Sequence, residues 1–254
     1  MLALRSARLP EDPNLHDSSH RAFKLSAVIA TYNVARYLPE LLRSLERQTY
    51  GIERVQIVFV NDGSSDDSGS ILDDWARGRE SHVTVIHQAN QKVAAARNNG
   101  IAAVDADWVT FTDPDDVLQD RYFEEIAKFI DLYDDRDLAI LATHQMRMDD
   151  DGTLTDTHFS AKRFYRGSRL VDLRHDPMIQ MGAAPAFMRM SVIREHDLRF
   201  DDRIRPTFED AHFVGRYILL SGRNTLGLVA SAKYHYRRRM DGTSLVQSGH
   251  MSRE

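Results

Sequence analysis

Residues 108–118 read W-V-T-F-T-D-P-D-D-V-L, an apolar run followed at once by three carboxylates within four positions. The apolar run predicts a buried strand over Trp108–Thr112. Carboxylates this close repel one another, so the spacing of Asp113, Asp115 and Asp116 does not favour stability by itself. The stretch therefore predicts a strand whose carboxyl end faces a positively charged partner.

Working outward from this strand, the first half of the chain alternates strands with helices. Apolar runs predict strands at 25–30, 55–60, 83–87 and 108–112. Apolar residues at three- and four-residue spacing predict helices at 34–45 and 93–104, and a third helix begins at an N-cap of Ser65 or Asp66. This alternation is typical of an α/β fold with a parallel sheet and right-handed crossovers.

The second half is less regular. A helix is predicted from residue 119 to about Tyr133, a strand over Leu138–Thr143 and a helix over Phe208–Leu220. Polar and aromatic residues alternate over Lys233–Arg239, which predicts a further strand.

Polar residues follow three of the predicted strands, at 31–33 (T-Y-N), 61–64 (N-D-G-S) and 113–116 (D-P-D-D). Parallel strands end at one edge of their sheet, and ligands bind beyond that edge. Carboxylates without cysteine suit a hard divalent cation, Mn²⁺ or Mg²⁺, that also binds substrate phosphates. We therefore expect a metal bridging a diphosphate at this edge.

Each loop alone has a simpler interpretation. D-P-D-D could be a helix N-terminus with Pro114 in the first turn, where the helix dipole favours acids. N-D-G-S-S could be a turn with a capping serine. The joint arrangement of the three loops favours a ligand site.

Composition excludes several classes. The net charge of −5 and the pI near 6.1 argue against a general nucleic-acid-binding protein. The absence of cysteine excludes disulfides and thiolate metal sites. No apolar run approaches a transmembrane segment, and the N-terminus lacks a signal-peptide pattern, so we expect a cytoplasmic protein at most peripheral to the inner face of a membrane.

A series of segments carries a family resemblance: S-A-V-I-A-T-Y-N, V-F-V-N-D-G-S-S-D-D-S, A-A-A-R-N-N-G-I, F-T-D-P-D-D-V-L and F-E-D. In this order they resemble the family 2 glycosyltransferases, over most of residues 24–245. The resemblance implies the GT-A fold, a Rossmann-like, mostly parallel central sheet flanked by helices, with a less regular acceptor-binding second half. It also implies inverting transfer of a sugar, usually from a UDP-sugar held by a divalent metal.

The resemblance assigns the donor site residue by residue. Ala30, where many relatives have proline, would line the base pocket with Thr31, Tyr32 and Asn33. Asp62 would bind the uracil edge and Arg97 would lie near the nucleotide or the sugar. Asp113 and Asp115 form the D-x-D pair. Asp115 would be the more constant metal ligand, and Asp113 would contact either the metal or the ribose. Asp116 would point toward the donor sugar or support the loop.

The resemblance places the catalytic base at Asp210, beside Glu209. A carboxylate can take the proton of an acceptor hydroxyl as that hydroxyl attacks, and inversion requires the base opposite the leaving group. Glu209 and Asp210 could also be an ordinary acidic first turn of a helix after Thr207.

Residues 234–244 (Y-H-Y-R-R-R-M-D-G-T-S) match a segment that relatives place near the diphosphate. His235 would be a third metal ligand, and Arg237 would form bidentate hydrogen bonds to phosphate oxygens. In a strand, His235, Arg237 and Arg239 share one face. A half-buried histidine and a solvated basic edge are the alternatives. His144 and His212 are interpreted as structural.

The resulting organisation is a flexible arm (1–23), a nucleotide-sugar-binding half (24–118), an acceptor and catalytic-base half (119–245) and a tail (246–254). Expected partners are a UDP-sugar and a glycan, polyol-phosphate polymer or lipid-linked acceptor, with no nucleic acid. Basic residues of the second half hint at an anionic acceptor: Arg163, Arg166, Arg169 and Arg174. A further C-terminal domain or a homo-oligomer is also expected. Two alternatives stay open: a non-catalytic nucleotide-sugar-binding module and a metal-dependent nucleotidyltransferase.

Overall fold

A computed structural model describes residues 22–133, 137–176, 180–204 and 208–239. One sheet of ten strands runs through these residues, in the order β3-β2-β1-β4-β9-β6-β10-β5, with β7 beside β6 and β8 beside β10. The predicted 246–254 tail and the D-G-T-S segment lie outside the described residues, as does most of the predicted arm.

The parallel half is confirmed. Strand β1 pairs in parallel with β2 and with β4, and β2 pairs in parallel with β3. The elements are β1 Phe23–Thr31, α1 Leu38–Glu46, β2 Val55–Asp62, α2 Ser68–Ala76, β3 Val83–Gln88, α3 Lys92–Ala102 and β4 Ala106–Phe111. Strand β1 begins at Phe23, the last residue of the predicted arm.

The second half adds mostly antiparallel pairs to the same sheet. Strand β9 joins β4 to β6 in antiparallel fashion, while β6 and β10 are parallel. The elements are β5 Val117–Leu118, α4 Tyr122–Tyr133, β6 Leu138–Met148, β7 Leu154–Thr155, β8 Arg169–Asp172, β9 Ala186–Arg189, α5 Met190–Glu195, α6 Glu209–Leu220 and β10 Thr225–Arg237. The sheet is therefore continuous across the predicted division at residue 118.

Helices cover both faces of the sheet, each over its own hydrophobic cluster. Helices α1, α2 and α4 pack on one face, and α3, α5 and α6 pack on the other. Helix α1 illustrates why: its leucines at 38, 41, 42 and 45 recur at helical spacing and are all buried. Each fully buried leucine stabilises the fold by about 1.5–3 kcal/mol.

One alternative interpretation and one local prediction are wrong. Asp113–Asp116 is not a helix start, because the Asp116 N–H donates to the Asp113 carbonyl and the chain then enters β5 before α4 begins at Tyr122. The N-cap of α2 is Asp67, not Ser65 or Asp66. Asp66 instead accepts hydrogen bonds from the N–H groups of Ala35 and Ser68, and so ties two loops together.

The close approach of α3 to β1 gives a stability prediction. A Cβ added at Gly100 would lie 2.2 Å from Cγ1 of Val28, whereas one added at Gly215 in α6 would meet nothing within 4 Å. Overpacking of this kind costs about 1–3 kcal/mol, while Gly→Ala in an open helical position gains about 0.5–1 kcal/mol. We expect Gly100→Ala to lower the free energy of unfolding in urea and Gly215→Ala to leave it equal or higher. Equal values for the two variants would contradict this packing.

Within the described residues, no helix is both long and apolar enough to cross a membrane.

Candidate active site

The loop after β4 and the first turn of α6 meet on one arginine. Nη2 of Arg97 lies 3.1 Å from Oδ1 of Asp113, and Nη1 lies 3.1 Å from Oε1 of Glu209 and 2.5 Å from Oδ1 of Asp210. Three predicted site elements, separate in sequence, thus share one buried guanidinium.

Arg97 is a buried residue of helix α3. Its side chain is only 7% exposed, and its guanidinium lies over the ring of Phe200 at 5.2 Å from the centroid. Burial opposes the charge, but Asp210, Asp113 and Glu209 outweigh it, so the pKa of Arg97 is raised and the side chain stays charged.

Three carboxylates of the site, Glu209, Asp113 and Asp116, have raised pKa values. Burial raises the pKa of Glu209 to about 7; Arg97 opposes this rise and Asp210 adds to it. Burial raises the pKa of Asp113 to about 6, again against Arg97 and with the help of Asp115 and Asp210. Burial, then Asp115 and Asp113, raise the pKa of Asp116 well above its usual value. An added cation would relieve this repulsion.

The end of β10 holds the D-x-D loop. Nε of Arg237 donates to the carbonyl of Asp115 at 2.7 Å, and the Arg237 N–H donates to Oδ1 of Asp116 at 2.8 Å. Nε of Arg239 lies 2.6 Å from Oδ2 of Asp115. The Asp113 N–H donates to the hydroxyl of Tyr234 at 3.1 Å. Asp116 is 1% exposed, and this placement favours its role as support of the loop.

Of the three basic residues predicted on one face, Arg237 and Arg239 both lie over the ring of Tyr37 and both contact Asp115. Arg237 is buried, pairs with Glu40 of α1 and lies over the ring of Tyr37. The guanidinium of Arg239 lies beside the carboxylate of Asp115 and is better placed than Arg237 for a ligand at the D-x-D pair.

His235 is half-buried, and burial lowers its pKa; its charged neighbours are Asp120 and Lys233. Among the described residues, neither Asp113 nor Asp115 is paired with it, and no group of three or more His, Asp or Glu side chains has metal-binding geometry.

The first two loops lie on the same edge of the sheet, since the register sets Thr31 beside Asn61. Thr31 is buried, Ala30 is half-buried and Tyr32 is 50% exposed. Asn33 has a left-handed φ of 49°, which asparagine tolerates, and its Oδ1 accepts from the Ser65 N–H at 2.8 Å.

Asp62 is also buried at this edge. Its Oδ1 accepts from Nε2 of Gln88 and from the Gln91 N–H, both at 2.8 Å. The loop carrying the predicted uracil contact is therefore fixed by β3 and the start of α3.

Sequence reasoning missed two residues of the site, Tyr234 and Phe200. Tyr234 belongs to the hydrophobic cluster, yet its hydroxyl reaches the D-x-D backbone. Phe200 stacks on Phe213 of α6 and lies under Arg97. An aromatic residue does not by itself indicate a role in a polar site. The alternation of Tyr234, His235 and Tyr236 is the one signal that pointed to Tyr234.

The family model for "Glycosyl transferase family 2" matches residues 26–196, more than half of the chain. The chain belongs to glycosyl transferase family 2. The predicted family and fold class are confirmed.

Similar proteins include two from Bacillus subtilis (strain 168). The chain is 30% identical to "Minor teichoic acid biosynthesis protein GgaB" over 227 residues, which is 89% of this chain and 24% of GgaB. It is 28% identical to "Putative glycosyltransferase EpsH", over 88% of this chain and 62% of EpsH. The chain thus spans about a quarter of GgaB and under two thirds of EpsH.

Solved structures of similar fold include residues 1–349 of TarS from S. aureus in complex with UDP-GlcNAc. The TM-score is 0.73 at 22% identity, over 90% of this chain and 62% of that one. A mannosyltransferase, PcManGT from Pyrobaculum calidifontis, in complex with GDP-Man and Mn²⁺, gives a TM-score of 0.57 at 15% identity, over 82% of this chain and 54% of that one. At identities of 22% and 15%, the structural similarity shows that this chain has the GT-A fold.

The raised pKa of Glu209 gives a prediction for the ligand-free protein. Because the folded state binds this proton more tightly than the unfolded state, the stabilisation is present below about pH 4.5 and is lost as pH rises toward about 7. We expect the free energy of unfolding to fall over this window, lowering the Tm by a few degrees, and Glu209→Gln to flatten the slope. Urea titrations from pH 5 to pH 8 measure the free energy of unfolding at each pH. If its slope against pH were the same in Glu209→Gln as in the wild type, Glu209 would not be the group that titrates.

Proposed function

We propose that this chain is an inverting glycosyltransferase that moves a sugar from a UDP-sugar to an acceptor hydroxyl. The observation that carries the proposal is the meeting of Asp113, Glu209 and Asp210 on Arg97. This arrangement sets a candidate donor site and a candidate base side by side at the carboxyl edge of a parallel sheet, where ligands bind in such folds.

Asp210 is proposed as the general base. Its Oδ1 is held by Arg97 and its Oδ2 accepts from the Ala183 N–H at 3.0 Å, so the carboxylate is fixed while its side chain stays 26% exposed. The acceptor oxygen attacks the anomeric carbon, the bond from that carbon to the diphosphate breaks, and the acceptor proton passes to Asp210. Glu209, 6% exposed, positions Arg97 rather than meeting the acceptor.

A divalent cation fits the donor loop. Mg²⁺ and Mn²⁺ are commonly held by one or two carboxylates together with substrate phosphates, and Asp115 and Asp113 offer that set. Burial, with repulsion from Asp115 and Asp210, raises the pKa of Asp113, and such a cation would offset the repulsion. When bound, the metal would offset the negative charge that develops on the departing diphosphate. Arg239, beside Asp115, would then be released to the phosphate oxygens.

The remaining donor contacts are proposed from the same edge. Exposed Tyr32 would stack on the base above Ala30, Thr31 and Asn33, and Asp62 would accept from the uracil edge. Arg237 and Asp116 would hold the loop beneath the diphosphate. His235 as a third metal ligand stays a prediction, and it would require the ring to leave the neighbourhood of Asp120.

The acceptor and the location are also proposals. TarS is solved with UDP-GlcNAc, and GgaB is named for minor teichoic acid biosynthesis, which supports a UDP-hexosamine donor and a polyol-phosphate acceptor for this chain. We infer a cytoplasmic site of action at the inner face of the membrane.

The testing experiment is a calorimetric titration of UDP, with GDP, CDP and ADP as controls, in Mn²⁺ and in EDTA. We expect selective, metal-dependent binding of UDP and slow release of UDP from UDP-GlcNAc in the presence of Mn²⁺. Binding without any turnover would instead identify a nucleotide-sugar-binding module. Consumption of a nucleoside triphosphate with release of pyrophosphate would identify a nucleotidyltransferase. No binding of any nucleotide would overturn the proposal.

A further inference from the structure

A second polar cluster lies on β6 and β10, away from the D-x-D loop. Nε2 of His144 lies 2.7 Å from Oδ1 of Asp156, and Nδ1 of the same ring is in contact with Nζ of Lys233. An ammonium group can only donate, so Nδ1 accepts from Lys233 and the Nε2–H donates to Asp156. His144, only 4% exposed, is therefore held as a neutral imidazole between a cation and a carboxylate.

This arrangement leaves Lys233 with unused donors. Its ammonium meets an imidazole nitrogen rather than a carboxylate, and in the described part of the chain it forms no ion pair within 4.0 Å. Burial lowers its pKa, with Asp156 opposing. A half-buried ammonium needs an anionic or strongly accepting partner. Within the described residues the Lys233 side chain bonds His144, which leaves two of its three N–H bonds for such a partner.

His158 adds a further donor to this cluster. Its Nδ1 accepts from the Ser160 N–H at 3.3 Å and contacts the Ser160 hydroxyl at 2.7 Å, which leaves the proton on Nε2. Burial, then the neighbouring Arg163 and His144, lowers its pKa. The exposed ring of Phe159, 90% accessible, lies beside His158 at 4.4 Å between ring centroids.

Phe164 forms the floor of the cluster. His144 stacks on its ring at 4.8 Å and 9°, and the guanidinium of Arg163 lies over the same ring at 5.6 Å. His144 and Arg163 therefore share one aromatic ring. Lys233 and Asp156 join the cluster through His144, and His158 has Arg163 and His144 as neighbours.

A chain of hydrogen bonds joins this cluster to the candidate base. Nη2 of Arg163 donates to Oε1 of Gln180 at 2.8 Å, and Nε2 of Gln180 donates to the Gly182 carbonyl at 2.7 Å. The next residue, Ala183, donates its N–H to Asp210. The cluster thus borders the loop whose Ala183 N–H holds Asp210.

We propose that Lys233, His158 and Arg163 bind a phosphate group of the acceptor. The inference rests on the proposed function, since it treats Asp210 as the base, and it names the acceptor class as a phosphate-bearing molecule. Such a contact would hold the acceptor while leaving its hydroxyl free to reach Asp210. The phosphate could belong to a polyol-phosphate chain or to a lipid headgroup, and the two sources are separated by the test.

The test is a binding measurement on the full 254-residue chain, with UDP and Mn²⁺ present. The probes are a soluble oligo(glycerol phosphate), a neutral oligosaccharide of equal length, and phosphatidylcholine vesicles with and without phosphatidylglycerol. We expect the phosphate oligomer to bind more tightly than the neutral one and Lys233→Met to weaken that binding about tenfold. Lys233→Arg should retain most of it, and His158→Phe should weaken it severalfold.

Lys162→Met is the matched control, because Lys162 is an exposed lysine next to Arg163. It should leave oligomer binding unchanged, and all variants should keep the wild-type affinity for UDP. Binding that needs phosphatidylglycerol vesicles and Lys233, but not the soluble oligomer, would assign the phosphate to a lipid headgroup. Equal affinity for the neutral oligomer, or equal loss in Lys162→Met, would overturn the inference. Phosphate binding by a protein that does not bind UDP would reject the donor assignment alone.

Discussion

Asp210→Asn is expected to lower the rate of sugar transfer by about 10²–10⁴-fold while leaving metal-dependent UDP binding intact. Asparagine has nearly the same shape but cannot take up the acceptor proton. Its amide also cannot accept from both Arg97 and the Ala183 N–H, so the side chain loses one of the two contacts that fix Asp210. Transfer from UDP-GlcNAc to a phosphate-bearing acceptor, followed by UDP release, measures the effect.

Asp197→Asn provides the matched control. Asp197 is 81% exposed and has a φ of 42°, a conformation that asparagine tolerates, so the same chemical change should leave transfer and stability unchanged. If Asp210→Asn abolished UDP binding, Asp210 would belong to the donor site and the base would have to be sought elsewhere. A transfer rate equal to wild type would remove it from the chemistry altogether.

Asp115→Asn is expected to weaken UDP binding in Mn²⁺ at least about 100-fold, since even outer-shell changes cost metal sites 10–100-fold. The amide lacks the negative charge that a divalent cation needs, and it also frees Arg239 from its ion pair. The fold should persist, because the loop is held through the Asp115 carbonyl and through Asp116, which the substitution leaves in place. Calorimetry with Mn²⁺ and with EDTA measures the loss, and circular dichroism follows the fold.

Asp120→Asn serves as the control for this variant. Its side chain is 53% exposed and pairs with Arg47, so its loss removes a carboxylate close in sequence without touching the D-x-D pair. We expect UDP affinity to stay at the wild-type value. Metal-dependent binding that survived in Asp115→Asn would show that another residue holds the cation.

The sequence alone determined the parallel half of the sheet and the three loops at its edge. Strands β1, β2, β3 and β4 were each predictable because each contains a short apolar run, and parallel strands end at a common edge whatever the rest of the fold does. The sequence alone was also enough to identify the family, because the family's motifs occur in a fixed order.

Only the tertiary structure decided how the site is assembled. Arg97 meets Glu209 across 112 positions, Arg239 meets Asp115 across 124, and Lys233 meets His144 across 89. The same holds for the D-P-D-D stretch, whose local signal equally suits a helix start but which leads directly into β5, a short strand paired with β10. Local periodicity specifies elements, whereas ion pairs between remote residues depend on how the sheet brings those elements together, and no spacing in the sequence encodes that.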